Sequence, residues 1–250
     1  MTRIEMKLTV LNSGSRANGY VLQNDNEALL IECGCPVSDA LRAIDFSTEK
    51  IVGCLVSHEH GDHSKYVEKY LDYMRVYCSE GTAQSLQCKK KRKLVILKPF
   101  KRVSLGNYTI IPFDTKHDTN EPFGFLIEHK EIGKLLFATD TYYIKYCFDG
   151  LTNVMIECNY DKKILFDNVE KGVLRPFVRD RIMRSHLSLD TCIKTLKAND
   201  LSKVSQVVLL HLSSNNSDAE RFKEIVQSEI GKKVVVATKG LEIDLNETPF

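Results

Sequence analysis

Hydrophobic and polar positions alternate with a period of two near the start of the chain, the spacing of strands with one face buried. Met6-Lys7-Leu8-Thr9-Val10-Leu11 predicts a strand, Ser13-Gly14-Ser15-Arg16-Ala17-Asn18-Gly19 a turn, and Tyr20-Val21-Leu22 a second strand. Asn24-Asp25-Asn26 marks another turn before Ala28-Leu29-Leu30-Ile31-Glu32. Positions 37–46 predict a helix with Ser38 and Asp39 near its start. Ile51-Val52-Gly53-Cys54-Leu55-Val56 is short, largely apolar and β-branched, as a buried strand is. Positions 64–73 take helical spacing, with Tyr66, Val67, Tyr70 and Leu71 available to one face. Further strands are predicted at 94–97, 103–105, 108–113, 124–128 and 134–138. The pattern then partly repeats: a strand at 154–157, a helical stretch from Asp161, a helix beginning near Ser188 and a strand at 206–210. A helix at 215–227 and a strand at 233–237 follow. Two β-rich halves with helices between them predict an α/β fold, a sandwich of sheets covered by helices. A single domain over residues 1–250 is the expected organisation.

Composition narrows the class. With 250 residues, 43% of them hydrophobic, the chain can bury one large core or two modest ones. A net charge of +2 neither requires nor excludes a polyanionic partner. The eight cysteines lie in no compact repeating framework, and several sit within apolar strand-like runs. Reduced thiols and a cytoplasmic location are therefore expected. Cys33-Gly34-Cys35 is too tight for half of a zinc ribbon. No stretch reaches the roughly 18 apolar residues of a membrane helix.

Chemistry concentrates in His58-Glu59-His60-Gly61-Asp62-His63. In extended chain, His58 and His60 leave the same side and can share one metal, while Asp62 and His63 diverge and can serve another. Imidazole nitrogen with carboxylate oxygen suits zinc, manganese or iron better than calcium. Further polar residues close apolar strands: His117 follows Ile110-Ile111-Pro112-Phe113, Asp140 follows 135–139, and His211 ends 207–210. Strand ends are where sites in layered folds collect, so these three are candidate ligands. Of the seven histidines, His129 alone, within Glu128-His129-Lys130-Glu131, reads as simple surface.

The turn, the later His, the strand-end Asp and the final His occur here in the order of the metallo-β-lactamase fold superfamily, which the chain resembles from about Met6 to Leu245. Leu11-Asn12-Ser13-Gly14-Ser15, Ile156-Glu157-Cys158-Asn159 and Arg181-Ile182-Met183-Arg184-Ser185-His186-Leu187-Ser188 look like the YycJ/WalJ-type exonuclease branch. PhnP-type phosphodiesterases and ribonuclease Z are similar. Tyr160 and Ser185 depart from that branch, which often has His and Gly there. The resemblance implies an αββα sandwich and a phosphodiesterase with two divalent ions, zinc ahead of manganese or iron. His58, His60 and His117 would hold one ion, Asp62, His63 and His211 the other, and Asp140 would bridge them. The implied nucleophile is a hydroxide shared by the ions. A DNA exonuclease is the leading implied activity, with a cyclic nucleotide or cyclic sugar-phosphate phosphodiesterase as the alternative. The expected partner is a nucleic acid or nucleotide phosphodiester and no membrane, with a homo-oligomer left open.

His186 would protonate the leaving oxygen, and Asp62 is the second candidate catalytic residue; alternatively His186 merely precedes the helix opened by Ser188. Ser13, Ser15, Asn18, Asn159 and Ser213 are candidate substrate contacts. Gly14 and Gly19 can equally form a plain turn, and Ser213 to Asn216 a helix cap. Glu59 is either a support for a ligand or simply exposed. The run Lys89-Lys90-Lys91-Arg92-Lys93 could grip a phosphate backbone or be a solvated loop; it contains no aromatic residue for base stacking.

Overall fold

In the computed structural model, which describes residues 6–246, the chain opens with the antiparallel strands β1 (Met6–Asn12), β2 (Gly19–Gln23) and β3 (Ala28–Ile31). Helix α1 (Val37–Ala43) leads to β4 (Ile51–Leu55), then α2 (Gly61–Ser64), α3 (Val67–Tyr73), β5 (Val76–Cys78), α4 (Glu80–Ser85) and β6 (Leu94–Ile96). The second half lays down β7 (Val103–Leu105), β8 (Tyr108–Asp114), β9 (Phe123–His129), β10 (Gly133–Ala138) and β11 (Asn153–Glu157). It continues through α5 (Lys162–Glu170), α6 (Pro176–Ser185), α7 (Leu189–Ala198), β12 (Gln206–Leu210), α8 (Ala219–Ile230), β13 (Lys233–Val236) and β14 (Glu242–Leu245).

Two seven-stranded mixed sheets result, ordered β14-β1-β2-β3-β4-β5-β6 and β7-β8-β9-β10-β11-β12-β13. Each has three antiparallel pairings followed by three parallel ones, so the partial repeat in the sequence is a repeat of topology. Period-two patterning divides the side chains between layers. Met6, Leu8 and Val10 of β1 meet Phe125, Phe137 and Met155 of the other sheet in the central core. Ala28 and Leu30 of β3 face outward onto α1 and α3, whereas Leu29 and Ile31 face inward. On the far side, β10 to β12 pack on Leu189, Cys192 and Leu196 of α7 and on Phe222 and Val226 of α8. Each fully buried Leu or Phe contributes about 1.5–3 kcal/mol by leaving water. The α/β sandwich of two helix-covered sheets is the expected architecture.

Several boundaries differ from the sequence expectation for identifiable reasons. α1 stops at Ala43 because Asp45 and Phe46 take left-handed φ values of 51° and 58°. The helix expected at 64–73 is broken because the Tyr66 N–H donates to Cys33 O (2.9 Å), outside the helix. α8 starts later than 215, where the Asp218 side chain accepts from Arg221 N. Residues 213–216 instead form a local turn, Asn216 N donating to Ser213 Oγ at 3.3 Å. β5, α4, α6 and β14 have no counterpart in the sequence reading.

Candidate metal centre

Within each sheet the parallel strands point the same way, so their carboxyl ends share one edge, and nearly all the candidate residues lie there. β4 runs into the turn 58–63, β8 leads to His117, β10 ends before Asp140 and β12 before His211. Glu32, Asp140 and His211 all have left-handed φ values, 69°, 42° and 52°. Such backbone costs roughly 1–3 kcal/mol per residue and persists only where the surroundings fix it. Here Glu32 N donates to Leu55 O (2.8 Å) and His211 N to Ser13 Oγ (2.9 Å).

The donor atoms converge. One group comprises His58, His60 and His117; a second comprises Asp62, His63, Asp140 and His211; within each, all ligand atoms lie within 4.8 Å of one another. Asp140 stands between them. Its Oδ2 is 3.8 Å from His58 Nε2, 3.4 Å from His63 Nε2 and 3.7 Å from His117 Nε2, and its Oδ1 is 3.3 Å from His211 Nδ1. Asp62 Oδ2 is 3.2 Å from His63 Nε2 and 3.3 Å from His211 Nε2. His60 Nδ1 lies 3.1 Å from His117 Nε2.

The surroundings prepare these groups for a cation. His58 Nδ1 bonds Ser57 Oγ (2.8 Å), and the buried His58 Nε2 has no hydrogen-bond partner. His117 Nδ1 donates to Ser185 O (2.8 Å), leaving Nε2 toward the cluster. The carbonyl acceptor on Nδ1 fixes the His117 tautomer that presents the Nε2 lone pair to a metal, and the Ser57 hydroxyl orients the His58 ring. His63 Nδ1 and Glu32 Oε1 are also buried without hydrogen-bond partners, 3.5 Å separating that nitrogen from Glu32 Oε2. Burial holds the His58 imidazole well below its ordinary range, hence neutral. Burial disfavours charge on Asp140, yet the neighbouring His211 and His63 keep its carboxyl well below the usual range. Burial lowers His211 too, but Asp140, Asp62 and Glu157 outweigh it and push the imidazole up to about 10. Unpartnered buried nitrogens, a histidine-rich donor set and clustered carboxylates fit divalent cations.

The metal turn is clamped from behind. An ideal Cβ on Gly34 would lie 1.7 Å from Asp62 O, so only glycine allows the approach. Asn18 N donates to Asp62 O (2.7 Å) and Cys33 N to His63 O (2.7 Å). The Cys33-Gly34-Cys35 segment is thus a brace, and the eight cysteines are all free.

His186 caps α6 beside the cluster, its Nδ1 2.6 Å from Glu157 Oε1. Glu157 is a site residue to which the sequence reading gave no role. It is fully buried, its Oε2 accepts from Thr141 N and Leu187 N (both 3.0 Å), and its Oε1 lies 3.2 Å from His211 Nδ1. Like Asp140, it is an acid at the end of an apolar strand, and that signal could have found it. Asp140, Glu157, His186 and His211 also present ligand atoms within 4.8 Å.

Among the candidate substrate contacts, three are engaged in the framework. Ser13 Oγ bonds Tyr20 OH (2.8 Å), Asn18 Nδ2 reaches Asp62 Oδ2 (3.2 Å), and Asn159 Nδ2 donates to His211 O (2.8 Å). Ser15 is exposed and Ser213 half-buried. Glu59 Oε1 accepts from Asn120 N (2.9 Å). His129 is not surface: it is 4% exposed, with Nε2 2.9 Å from Glu27 Oε1. Of the charged neighbours that suggested exposure, Glu128 alternates away from it along β9, while Lys130 and Glu131 lie in the turn beyond the strand. Lys89–Lys93 precedes β6, which runs parallel to β4 and β5, so this basic run lies at the amino-terminal edge, opposite the ligands. Lys90 there pairs with Asp72, and Lys93 Nζ donates to Asp72 O (3.3 Å). Among the described residues no helix is long and apolar enough to cross a membrane.

The structure is similar to the metallo-β-lactamase fold protein YhfI from Bacillus subtilis, with TM-score 0.74 and 17% identity over 96% of this chain and 99% of that one. It is also similar to a diphosphatase of the PhnP family, with TM-score 0.65 and 17% identity over 97% and 99%. The architecture is the metallo-β-lactamase fold, and the exodeoxyribonuclease homologues support a metal-dependent hydrolase. In sequence, homologues are exodeoxyribonucleases. WalJ of Streptococcus pneumoniae serotype 2 is 26% identical over 98% of this chain and 94% of its own, and YycJ of Bacillus anthracis is 25% identical over 95% and 94%. The family described as anti-Pycsar protein Apyc1 matches residues 12–93.

Proposed function

We propose that the protein hydrolyses nucleic-acid phosphodiesters at a two-cation centre, foremost as a DNA exonuclease. The observation that carries this reading is the His186–Glu157 pair beside the ligand cluster. Cleavage of a phosphodiester expels an alkoxide, which needs a proton near pH 7, and histidine can supply it. Two backbone N–H groups fix Glu157 Oε2, so Oε1 holds His186 Nδ1 and leaves Nε2 as the nitrogen that can deliver the proton. Glu157 also favours the imidazolium: burial opposes that charge, but the carboxylate raises the His186 pKa.

In this reading His58, His60 and His117 would hold one cation, Asp62, His63 and His211 the other, and Asp140, whose carboxylate lies between the two sets, would serve both. Such cations would lower the pKa of a water nucleophile and offset negative charge on the phosphoryl group; zinc, manganese and iron all suit these donors. Asp62, with 20% side-chain exposure against 3% for Asp140, is the more open of the two carboxylates and would be the one placed to orient a water. Ser15 is the candidate substrate contact most open to solvent; Ser13, Asn18 and Asn159 chiefly hold the ligands in place. The exodeoxyribonuclease homologues support a polynucleotide substrate. A second reading is a cyclic nucleotide or cyclic sugar phosphate cut at the same site, because a ribose oxygen expelled from a cyclic phosphodiester needs the same proton from His186.

Incubating metal-loaded protein with end-labelled DNA, end-labelled RNA and a panel of cyclic nucleotides separates these readings. Stepwise release of nucleotides from DNA ends is expected. Hydrolysis confined to cyclic substrates would establish the second reading, and no cleavage of any phosphodiester would remove both.

A further inference from the structure

Exposed aromatic side chains follow Asp140 at Tyr142 and Tyr143 and lie on the helices α5 and α6, the second of which leads to His186. Phe166 (41% exposed) lies in α5 and Phe177 (65%) in α6, the helix that ends at the residue accepting a hydrogen bond from His117. Residues 162–185 carry seven Lys or Arg against three Asp or Glu, in a chain whose total charge is only +2. Phe177, Arg181 and Arg184 stand at i, i+4 and i+7, hence on one face of α6. The structure places that face on a cleft of ≈ 380 Å³ lined by Asp118, Phe177, Asp180, Arg181, Arg184 and Ser185. Arg179 lies over the Phe166 ring, its guanidinium carbon 5.2 Å from the centroid.

We propose that this face of α6 is the docking platform for a single-stranded polynucleotide whose end enters the metal centre. The proposal rests on the nuclease reading and gives it a substrate form. An aromatic ring left two-thirds exposed offers a surface for base stacking, and flanking arginines offer charge to phosphates, the combination used for single strands without sequence preference. From Phe177 to Ser185 the helix rises about 12 Å, so a strand stacked at Phe177 reaches the catalytic end within a few nucleotides. Arg181 Nε lies 3.3 Å from Asp118 Oδ2, an ion pair that a phosphate must displace; the basic run at 89–93 is set aside because it stands at the opposite edge and holds no aromatic residue.

The test uses the full, metal-loaded chain and fluorescein-labelled phosphorothioate strands, dT12 and rU12, which resist cleavage and let binding be read alone by anisotropy. Phe177→Ala should weaken binding by about 5- to 150-fold, the range for losing one base stack. Arg181→Gln with Arg184→Gln should lower the slope of log affinity against log salt by about 1.4. A comparator, Lys91→Gln with Arg92→Gln and Lys93→Gln, should weaken binding less than about threefold at moderate salt. Unaltered thermal midpoints show that the variants fold. Equal losses on dT and rU mark a platform for single strands in general; a larger loss on one assigns the sugar. The proposal is overturned if both α6 variants bind within about threefold of the parent, or if the comparator loses as much as they do. It is also overturned if the α6 variants lose binding to phosphatidylserine vesicles but not to strands, because α6 would then be a lipid contact. Failure of the nuclease reading shows separately, as cleavable strands that bind yet stay intact.

Discussion

Replacing Glu157 with Gln keeps the shape of the group and removes its charge. Thr141 N and Leu187 N both donate to Oε2, so the amide oxygen must stay there and the NH₂ must take the Oε1 position, facing His186 Nδ1 and His211 Nδ1. An amide donor at that point can bond only an unprotonated Nδ1, so His186 loses the partner that stabilises its imidazolium. A hydrogen bond to a charged group contributes about 1.5–3 kcal/mol. Without it the imidazolium is disfavoured by about that much, so the His186 pKa should fall. The acid form at neutral pH then drops by up to roughly 10- to 100-fold, and kcat on a dinucleotide should drop with it. The basic limb of the pH–rate profile should move to lower pH. Bis-p-nitrophenyl phosphate, whose leaving group departs without a proton, should lose far less. His186→Ala should cost about 10²- to 10⁴-fold on the dinucleotide with both cations retained. Adding Glu157→Gln to His186→Ala should then cost little more, because both act on one proton transfer. Equal losses on the two leaving groups, or full additivity in the double variant, would refute the reasoning and assign Glu157 to holding His211.

Asp140→Ala removes the carboxylate proposed to bridge the two cations, so metal content by elemental analysis and hydrolysis should fall together; retention of two ions per chain would end that proposed role. Gly34→Ala drives a Cβ into the Asp62 carbonyl, and overpacking of this kind costs about 1–3 kcal/mol, visible as a lower thermal midpoint together with weakened metal affinity. Cation binding must displace the proton that Asp140, Asp62 and Glu157 hold on His211 up to about pH 10 in the metal-free protein. Metal affinity should therefore rise with pH between 6 and 9 in chelator competition, with protons released on binding; a flat profile would count against His211 as a ligand.

The turn 58–63 was legible because six adjacent residues carry the chemistry of one patch, and Asp140 and His211 because each closes an apolar strand. Glu32 and Glu157 carry the same strand-end signal, but glutamate at a strand terminus is also what a solvated loop shows. His129 misled for a related reason: its partner Glu27 lies 102 residues away, and only its charged neighbours were visible locally. α6 was missed because Arg175, Arg179, Arg181 and Arg184 interrupt any apolar stripe; Pro176 at its first turn was the available cue. β14 is a four-residue edge strand whose pairing with β1 closes over almost the whole chain, which no local pattern encodes.

The centre is assembled from remote parts of the chain. Asp62 meets His211 across 149 positions, and the serine that bonds the His211 amide is 198 positions away. During synthesis the ribosome therefore releases the histidine-rich turn long before its counterparts exist, and a half-made chain has no complete cage. The cluster is therefore a property of the closed sandwich, and no fragment that ends before His211 can present the full set of ligand atoms.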